Sequence, residues 1–332
     1  MDRPLIAVVL AGGTGTRLYP ASRSDRPKQF QGFGRGRSLL AETVERLSFA
    51  DETYVLTAPE FAADVREHAP SAAVLAEPEP KDTGPALVYA AHRIREQRGE
   101  CVLLAAPSDH HVDGDVAATA ERAARVAVET DGLVTLGVEP TRPAPGYGYV
   151  QPGPARDGYA PVAAFQEKPD RETAERYVAA GYYWNAGIFA WTPAALLREA
   201  CGTPLDPLLD ALDDGNPKAG FRAVEAVSVD YAVLERTDDA YVVPADFAWD
   251  DLGTWDAVER LVDSDADDNA VLGEALTVDA SDNVVATNGH VSLVGVDDLV
   301  VASYGDRTLV VPKEDSQRVR EVVERLQERG RF

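Results

Sequence analysis

The chain has 332 residues, 45% of them hydrophobic, and its 56 acidic against 32 basic side chains leave a formal charge of −24. That length buries a sizeable core and suits one large and one smaller domain, while so acidic a field repels nucleic acid. No apolar run reaches the roughly 18 residues of a membrane helix, and no charged-then-apolar leader precedes the first strand.

Two cysteines, Cys101 and Cys201, fit no CxxC or zinc spacing, so a reduced, cytoplasmic setting is expected. Only five basic residues are lysines: Lys28, Lys81, Lys168, Lys218 and Lys313. A lysine-poor acidic surface suits high salt, where screening over a few ångströms removes self-repulsion. The expectation is a salt-adapted cytoplasm.

Leu5–Leu10 (LIAVVL) is a continuous apolar run, the pattern of a parallel strand buried on both faces. It leads into LAGGTGTRLYPASRSDRPKQF. Glycines directly after a buried strand bring backbone N–H groups toward a phosphate chain at the sheet's carboxyl edge. The dinucleotide fingerprint would need a third Gly where Leu18 stands, and the P-loop GK[ST] is absent. An ordinary turn would explain the glycines alone. The cations beside them favour an anion site: Arg17, Arg23, Arg26, Lys28, Arg35 and Arg37 face one acid, Asp25. Arg17 and Lys28 can supply the charge-assisted hydrogen bonds that a triphosphate requires.

Ser38 is placed to cap a helix through Leu47. Strands follow at Tyr54–Thr57, Ala73–Ala76, Val102–Ala106 and Leu133–Val138, with helices over Pro85–Gln97 and Val116–Glu129 between them. Further strands are expected at Val162–Phe165, Ala186–Trp191 and Ala240–Val243, and helices around Arg171–Ala180 and Thr254–Val262. This alternation predicts an α/β fold with a doubly wound, mostly parallel sheet.

Several polar groups fall at expected strand ends. PSDHH (Pro107–His111) puts Asp109 there, and FAWDDLGTW (Phe247–Trp255) puts Asp250 and Asp251 past another apolar stretch. One carboxylate from each loop suffices for a Mg²⁺ that keeps its waters and bridges to phosphates. Taken singly, each Asp equally fits a helix cap or polar turn. His110 and His111 read as polar loop residues. FQEKPD (Phe165–Asp170) presents Glu167 and Lys168, by default a solvated pair, although so rare a lysine is an uncommon choice for one. YYWNAGIFAW reads as aromatic core with Asn185 at a turn, and VSVDYAVLE as a helix capped by Asp230. After Asp263–Asp268 (DSDADD) the texture becomes β-rich, with short Val-rich strands between Gly, Asn and Asp turns without a clean period, then a charged helix over Ser316–Arg329. The expected domains are 1–265 and 266–332.

In this order, LAGGTGTRLYPASR with RPKQF, EPEPKDTGPAL, PSDHHV, GYGYV, FQEKPD, WNAGIF, SVDYAVLE and FAWDDLGTW resemble the mannose-1-phosphate guanylyltransferases, over about three quarters of the chain. RPKQF sets this branch apart from the thymidylyl- and uridylyltransferases, and the Val-rich tail is similar to the small, left-handed β-helix-like C-terminal domain of bacterial-type members. The resemblance implies that Leu10, Ala11, Gly12, Gly13, Gly15, Thr16, Thr83, Ser108 and Asp109 line the GTP site, with Arg17 and Lys28 on its phosphates. It implies Mg²⁺ on Asp109 and Asp251. It implies a mannose pocket of Gly148, Glu167, Asn185 and Asp230, with Lys168 on the sugar phosphate and, with Arg17 and Lys28, catalytic. GTP and mannose 1-phosphate are the implied partners, and a homodimer is compatible with it. Many members read RNTAPA where this chain has KDTGPA, which leaves Asp82 without a role. Another sugar or nucleotide, and a regulatory relative that binds without turnover, stay open on these residues.

The charge itself generates a prediction. Carboxylate repulsion is unscreened in dilute buffer, so the melting temperature should rise from dilute buffer to molar KCl; a flat or falling curve would remove the salt-adaptation reading.

Overall fold

The computed structural model describes residues 3–13, 15–33 and 36–332. Arg35, one of the six clustered cations, lies outside the described residues. LIAVVL forms β1 (Leu5–Leu10), buried along almost its whole length. It sits between β2 (Glu52–Thr57) and β4 (Val102–Pro107), both parallel to it, and β3 (Ala73–Ala76) extends the parallel block beyond β2. Strands flanked on both sides have no face for polar side chains, which is why they read as unbroken apolar runs.

Five more strands complete the sheet among the described residues: β5 (Leu133–Val138), β6 (Tyr149–Pro152), β7 (Ala160–Gln166), β8 (Tyr183–Trp191) and β9 (Ala240–Pro244). The order is β3-β2-β1-β4-β8-β5-β9-β7-β6. The expected mostly parallel arrangement holds, since β1 to β4, β5, β6 and β9 run one way and β7 and β8 are the reversed strands. Beyond β4 only β5 and β9 pair in parallel; β8 runs antiparallel to β4 and β5, and β7 to β9 and β6. The physical reason is connection length. Only a short loop joins β6 to β7, and a parallel return needs a crossover of a dozen residues or more.

Helices cover the sheet. Ser38 accepts from the Ala41 N–H at 3.2 Å, opening α1 (Leu39–Arg46) as its sequence suggests. After α2 (Ala62–His68), α3 (Thr83–Arg98) buries Leu87, Ala90, Ala91 and Ile94 in the main core with Ile6, Val8, Leu103 and Trp191. Asp115 caps α4 (Val116–Thr130) and Asp170 caps α5 (Arg171–Ala179) through backbone N–H groups. The short helices α6 (Pro193–Glu199), α7 (Asp206–Asp213) and α8 (Pro217–Ala223) complete this layer.

The packing units differ from one cut at 265/266. One unit comprises Met1–Gly12, Thr43–Ser108 and Val112–Trp249; the other comprises Gly13–Glu42, Asp109–His111 and Asp250–Phe332. The cause is a second core. Leu18, Tyr19 and Ala21 from the segment after the glycine turn pack with Trp255 and Val258 of α9 (Trp255–Leu261) and with Val284, Val300 and Val323. Trp255 Nε1 donates to the Tyr19 carbonyl at 3.1 Å. The glycine-rich loop therefore packs with the tail.

That tail winds as β10 (Ala270–Val278), β11 (Val284–Val294), β12 (Leu299–Tyr304) and β13 (Arg307–Pro312), then a 3₁₀ turn and α10 (Val319–Glu328). The first three pair in parallel, Ala270 with Val284 and Val284 with Val300, as coils of a β-helix do. No clean period shows in the sequence because the register shifts between Leu272 and Glu274. Gly273 sits at that shift with φ 111°, and a Cβ there would strike the Thr287 carbonyl. Asp268, Asp279, Asp282 and Asp298 adopt positive φ, a conformation Asp tolerates better than most side chains. Part of the acidity of this segment is thus turn chemistry.

Fully buried Asn269 and Asn283 stack between the coils. Asn283 Nδ2 donates to Asn269 Oδ1 (2.9 Å), Ser281 O (2.8 Å) and Val296 O (3.0 Å), while its Oδ1 accepts from the Leu299 N–H (3.0 Å). Asn283→Ala strands several buried groups at about 1–3 kcal/mol each. Denaturant melts should show a loss of about 2–5 kcal/mol; a loss below about 1 kcal/mol would mean that the ladder does not hold the coils.

Candidate active site

Two clusters collect the residues expected to act, one in each packing unit. In the C-terminal unit Lys28 opens a 3₁₀ turn after Pro27, and its side chain is almost wholly buried. Its ammonium lies 2.9 Å from Asp109 Oδ2 and donates to the Asp251 carbonyl at 2.7 Å. Gly15, at φ 63°, makes room for it: a Cβ there would lie 2.5 Å from Lys28 Cβ. Ser22 Oγ fastens the same turn by donating to the Gly15 carbonyl. A Cβ added to Gly13 would meet no described atom within 4 Å beyond its chain neighbours, and Thr16 begins a 3₁₀ turn that leaves Arg17 exposed.

Burial would raise the Asp109 carboxyl, but Lys28, then His110 and Arg17, outweigh it and hold it below the usual carboxylate range. Burial lowers His110 despite the opposing pull of Asp109 and Asp251, favouring its neutral form. The cations gathered in the sequence do not all converge here. Arg23 pairs with Asp306 at 3.0 Å and Arg26 donates to Gln31 at 2.8 Å. Neither Asp250 nor Asp251 caps α9, whose cap position is Thr254. Asp250 accepts from the Leu252 N–H and pairs with Arg260 at 2.6 Å, and Asp251 Oδ1 accepts from the Gly253 N–H.

The sheet-side residues Leu10, Ala11, Gly12, Thr83 and Ser108 belong to the other unit. Ser108 N–H donates to the Leu10 carbonyl, and Thr57 Oγ1 to that of Ala11 at 2.9 Å. Thr83 Oγ1 accepts from the Val229 N–H at 3.0 Å, so its hydroxyl anchors the segment that carries Asp230. Asp82, unassigned on sequence, accepts from the Thr83 N–H and caps α3.

The second cluster lies within this unit. Glu167 and Lys168 follow β7, Gly148 precedes β6, and Asn185 sits on β8. Lys168 adopts φ 47°, and its ammonium meets Glu167 Oε1 at 2.6 Å. It is 58% exposed and Glu167 only 10%, so the lysine head reaches water while its partner is sheltered. Burial would lower Lys168, and the Glu167 bond outweighs that and raises it. Gly148 is required by contact, since a Cβ there would collide with Glu167 Oε2.

Asp230 is not the helix cap its sequence suggests. It starts a π-helical turn, Asp230–Leu234, and Ser228 Oγ instead accepts from the Tyr231 N–H. Asp230 Oδ1 accepts from Asn185 Nδ2 at 2.9 Å, and Asn185 Oδ1 accepts from Thr135 Oγ1 at 2.8 Å. Burial, then the charge of Glu167, pushes the Asp230 carboxyl up to about 7. Sequence reading missed Thr135; a hydroxyl inside the otherwise apolar strand LVTLGV was the available signal. It also missed the aromatic wall of Tyr147, Trp184 and Trp249, ring centroids 5.0 Å apart from Tyr147 to each tryptophan, with the Arg142 guanidinium 5.2 Å from the Trp184 ring.

Among the described residues no group of three or more His, Cys, Asp or Glu is arranged to hold a metal, and no helix is long and apolar enough to cross a membrane. What the arrangement offers is an ionised carboxylate beside a buried ammonium, and a sheltered carboxylate pair beside an accessible one.

Known proteins share this plan. A sequence model of the nucleotidyl transferase family matches residues 6–268, and one of the MannoseP isomerase/GMP-like β-helix domain matches 273–326. The mannose-1-phosphate guanylyltransferase of Escherichia coli is 36% identical, over 98% of this chain and 75% of its own. The xanthan biosynthesis protein XanB of Xanthomonas campestris is 34% identical, over 98% and 74%. A crystal structure from Thermus thermophilus, described as a mannose-1-phosphate geranyltransferase, superposes with a TM-score of 0.91 at 36% identity, covering 98% of this chain and 99% of that one. The chain belongs to the nucleotidyl transferase family, with a nucleotidyltransferase-fold domain followed by a GMP-like β-helix domain.

Proposed function

We propose that the protein transfers GMP from GTP to α-D-mannose 1-phosphate, giving GDP-mannose and pyrophosphate. The observation that carries this reading is Lys28, buried against the Asp109 carboxylate and the Asp251 carbonyl, which gathers the lysine expected on the phosphates and the two residues expected to hold Mg²⁺ into one cluster. Relatives named as mannose-1-phosphate guanylyltransferases support the choice of sugar and base. We assign 1–265 to catalysis and 266–332 to the β-helix, and we infer a salt-rich cytoplasm from the charge.

The chemistry needs little proton transfer. Mannose 1-phosphate, with a second phosphate pKa near about 6, is already an anion at neutral pH. Its phosphate oxygen attacks the α-phosphorus in line, the bond to the β-phosphate bridging oxygen breaks, and pyrophosphate leaves with that electron pair. The barrier lies in bringing two polyanions together, so alignment and cationic charge do the catalysis. Arg17 and Lys28 serve the triphosphate. Gly13, Gly15 and Thr16 supply the turn around it, with Gly12, Leu10, Ala11, Thr83 and Ser108 on the sheet side. Glu167, Asn185 and Asp230 accept from or donate to sugar hydroxyls, Gly148 leaves them room, and Lys168 takes the sugar phosphate.

Asp109 and Asp251 are the residues that would hold Mg²⁺. Their hard carboxylate oxygens suit it, and Asp109 is kept ionised even though partly buried. Bound there, the ion would neutralise phosphate charge and orient the triphosphate.

A panel of four NTPs against mannose, glucose and galactose 1-phosphates, scored by pyrophosphate release, tests the reading. GTP with mannose 1-phosphate should give the highest kcat/KM; another pair in first place would replace it, and binding without turnover would favour a regulatory role. Asp109→Asn and Asp251→Asn should each abolish Mg²⁺-dependent turnover. Asn is the informative choice at Asp109, because its Oδ1 can still accept from the Lys28 ammonium, whereas Ala removes that acceptor as well as the charge.

Lys168→Ala separates the two substrates. It removes a charge-assisted contact worth roughly 1.5–3 kcal/mol, or about a ten- to hundredfold loss in kcat/KM for the sugar phosphate. Lys168→Arg should recover only part of that, since a planar fork replaces a compact ammonium. GTP affinity by calorimetry should hold steady. Unchanged sugar-phosphate kinetics would return FQEKPD to an ordinary surface pair.

A further inference from the structure

The peptide group between Asp251 and Leu252 is bonded on both sides. Its carbonyl accepts from the Lys28 ammonium at 2.7 Å, and its N–H donates to Asp250 Oδ1 at 3.0 Å. A peptide group is planar, so the bond that fixes its N–H also aims its carbonyl. Asp250 is held in turn by Arg260, which grips Oδ2 with Nε at 2.8 Å and Nη2 at 2.6 Å. Arg260 Nη1 donates to the Asp256 carbonyl at 3.0 Å, which ties the guanidinium to α9. Leu252 has φ 47°, a left-handed backbone that a bulky side chain rarely adopts, and its side chain is buried with Leu39 and Ala257. Such strain persists only where the surroundings over-determine it, and it gathers at functional sites. The next residue leaves room for the carboxylate. A Cβ on Gly253 would collide with Asp251 Oδ2, while the Gly253 N–H donates to Asp251 Oδ1 at 3.0 Å. The path of the loop from 250 to 253 therefore sets where the Asp251 carboxylate stands.

We propose that Asp250 is a positioning residue. Clamped by Arg260, it holds the Asp251–Leu252 peptide so that the Asp251 carbonyl meets Lys28 and the Asp251 carboxylate stays in place for Mg²⁺. This rests on the reading of Asp251 as a Mg²⁺ ligand and adds the pair that orients it. The two adjacent carboxylates thus divide the work according to their partners. Both oxygens of Asp250 are engaged, one by a backbone N–H two residues on and one by a guanidinium. Groups that hydrogen-bond a metal ligand fix its direction, and their loss costs about ten- to hundredfold in metal affinity.

Two readouts test this, and the first needs no metal. In metal-free protein, acylation of each lysine by acetic anhydride, followed by mass spectrometry, reports how well Lys28 is covered. Asp250→Ala and Arg260→Ala should each raise Lys28 labelling several-fold. Lys313, in the same packing unit and paired with Glu259, should stay level as the internal reference. The second readout is the gain in GTP affinity that Mg²⁺ confers, taken by calorimetry as the ratio of Kd in EDTA to Kd with Mg²⁺. In both variants that ratio should fall about tenfold or more. Asp250→Ser should recover part of both effects, since a hydroxyl also accepts from the N–H two residues on. Unchanged Lys28 labelling overturns the proposal, and so does a rise shared by Lys313, which would mark general loosening of the unit. A Ser variant no better than Ala overturns it too, because Asp250 would then act through its charge. An unchanged Mg²⁺ gain in Asp250→Ala beside a lost gain in Asp251→Asn overturns it and leaves the metal reading standing. An unchanged gain in Asp251→Asn overturns both.

Discussion

A single buried ammonium organises the C-terminal packing unit of this protein. Lys28 is held between the Asp109 carboxylate and the Asp251 carbonyl, and Gly15 has no side chain because that lysine fills the space. A buried charge is tolerated only when paired and hydrogen-bonded. The glycine turn, the loop after β4 and the loop before α9 must therefore be in place together for Lys28 to be accommodated. The same constraint explains why Gly13–Glu42, Asp109–His111 and the C-terminal segment pack as one unit. The second core of Leu18, Tyr19, Trp255 and the coil valines supplies the apolar support for that ion pair. The β-helix domain thus does structural work for the glycine turn.

The sheet unit manages charge in another way. Glu167 and Asp230 crowd together near Lys168, and the second carboxyl is raised to about 7 while the lysine stays charged. Such a pair can offer both an acceptor and, when protonated, a donor at neutral pH. Thr135 and Asn185 orient Asp230 by a short relay of hydrogen bonds, and Gly148 yields the volume Glu167 needs.

Much was legible before any coordinates. LIAVVL read as a strand buried on both faces, Ser38 could be seen to open α1, and the expected elements through Leu133–Val138 fall within a few residues of expectation. Periodicity and capping are local, so they survive into the fold. The ordered motifs also resembled the family to which the chain belongs, through their shared order along the chain. Where local signals were mimicked they misled. Asp230 has the spacing of an N-cap, yet its partner is Asn185, far away in the chain; Asp250 and Asp251 precede a helix, yet they bond the loop N–H groups of Leu252 and Gly253 instead of capping it.

By itself the sequence determined the α/β class, the glycine turn, the polar strand ends and a β-rich tail. It did so because hydrophobic period and turn chemistry act over a few residues. Tertiary structure alone decided which cations converge: Lys28 goes to Asp109, while Arg23 leaves for Asp306. It alone set the two reversed strands, β7 and β8, the β-helix register interrupted at Gly273, and the neighbours that raise Asp230 and Glu77. Those depend on distances between residues far apart in the chain, and charge and burial take their values only once packing has brought such residues together.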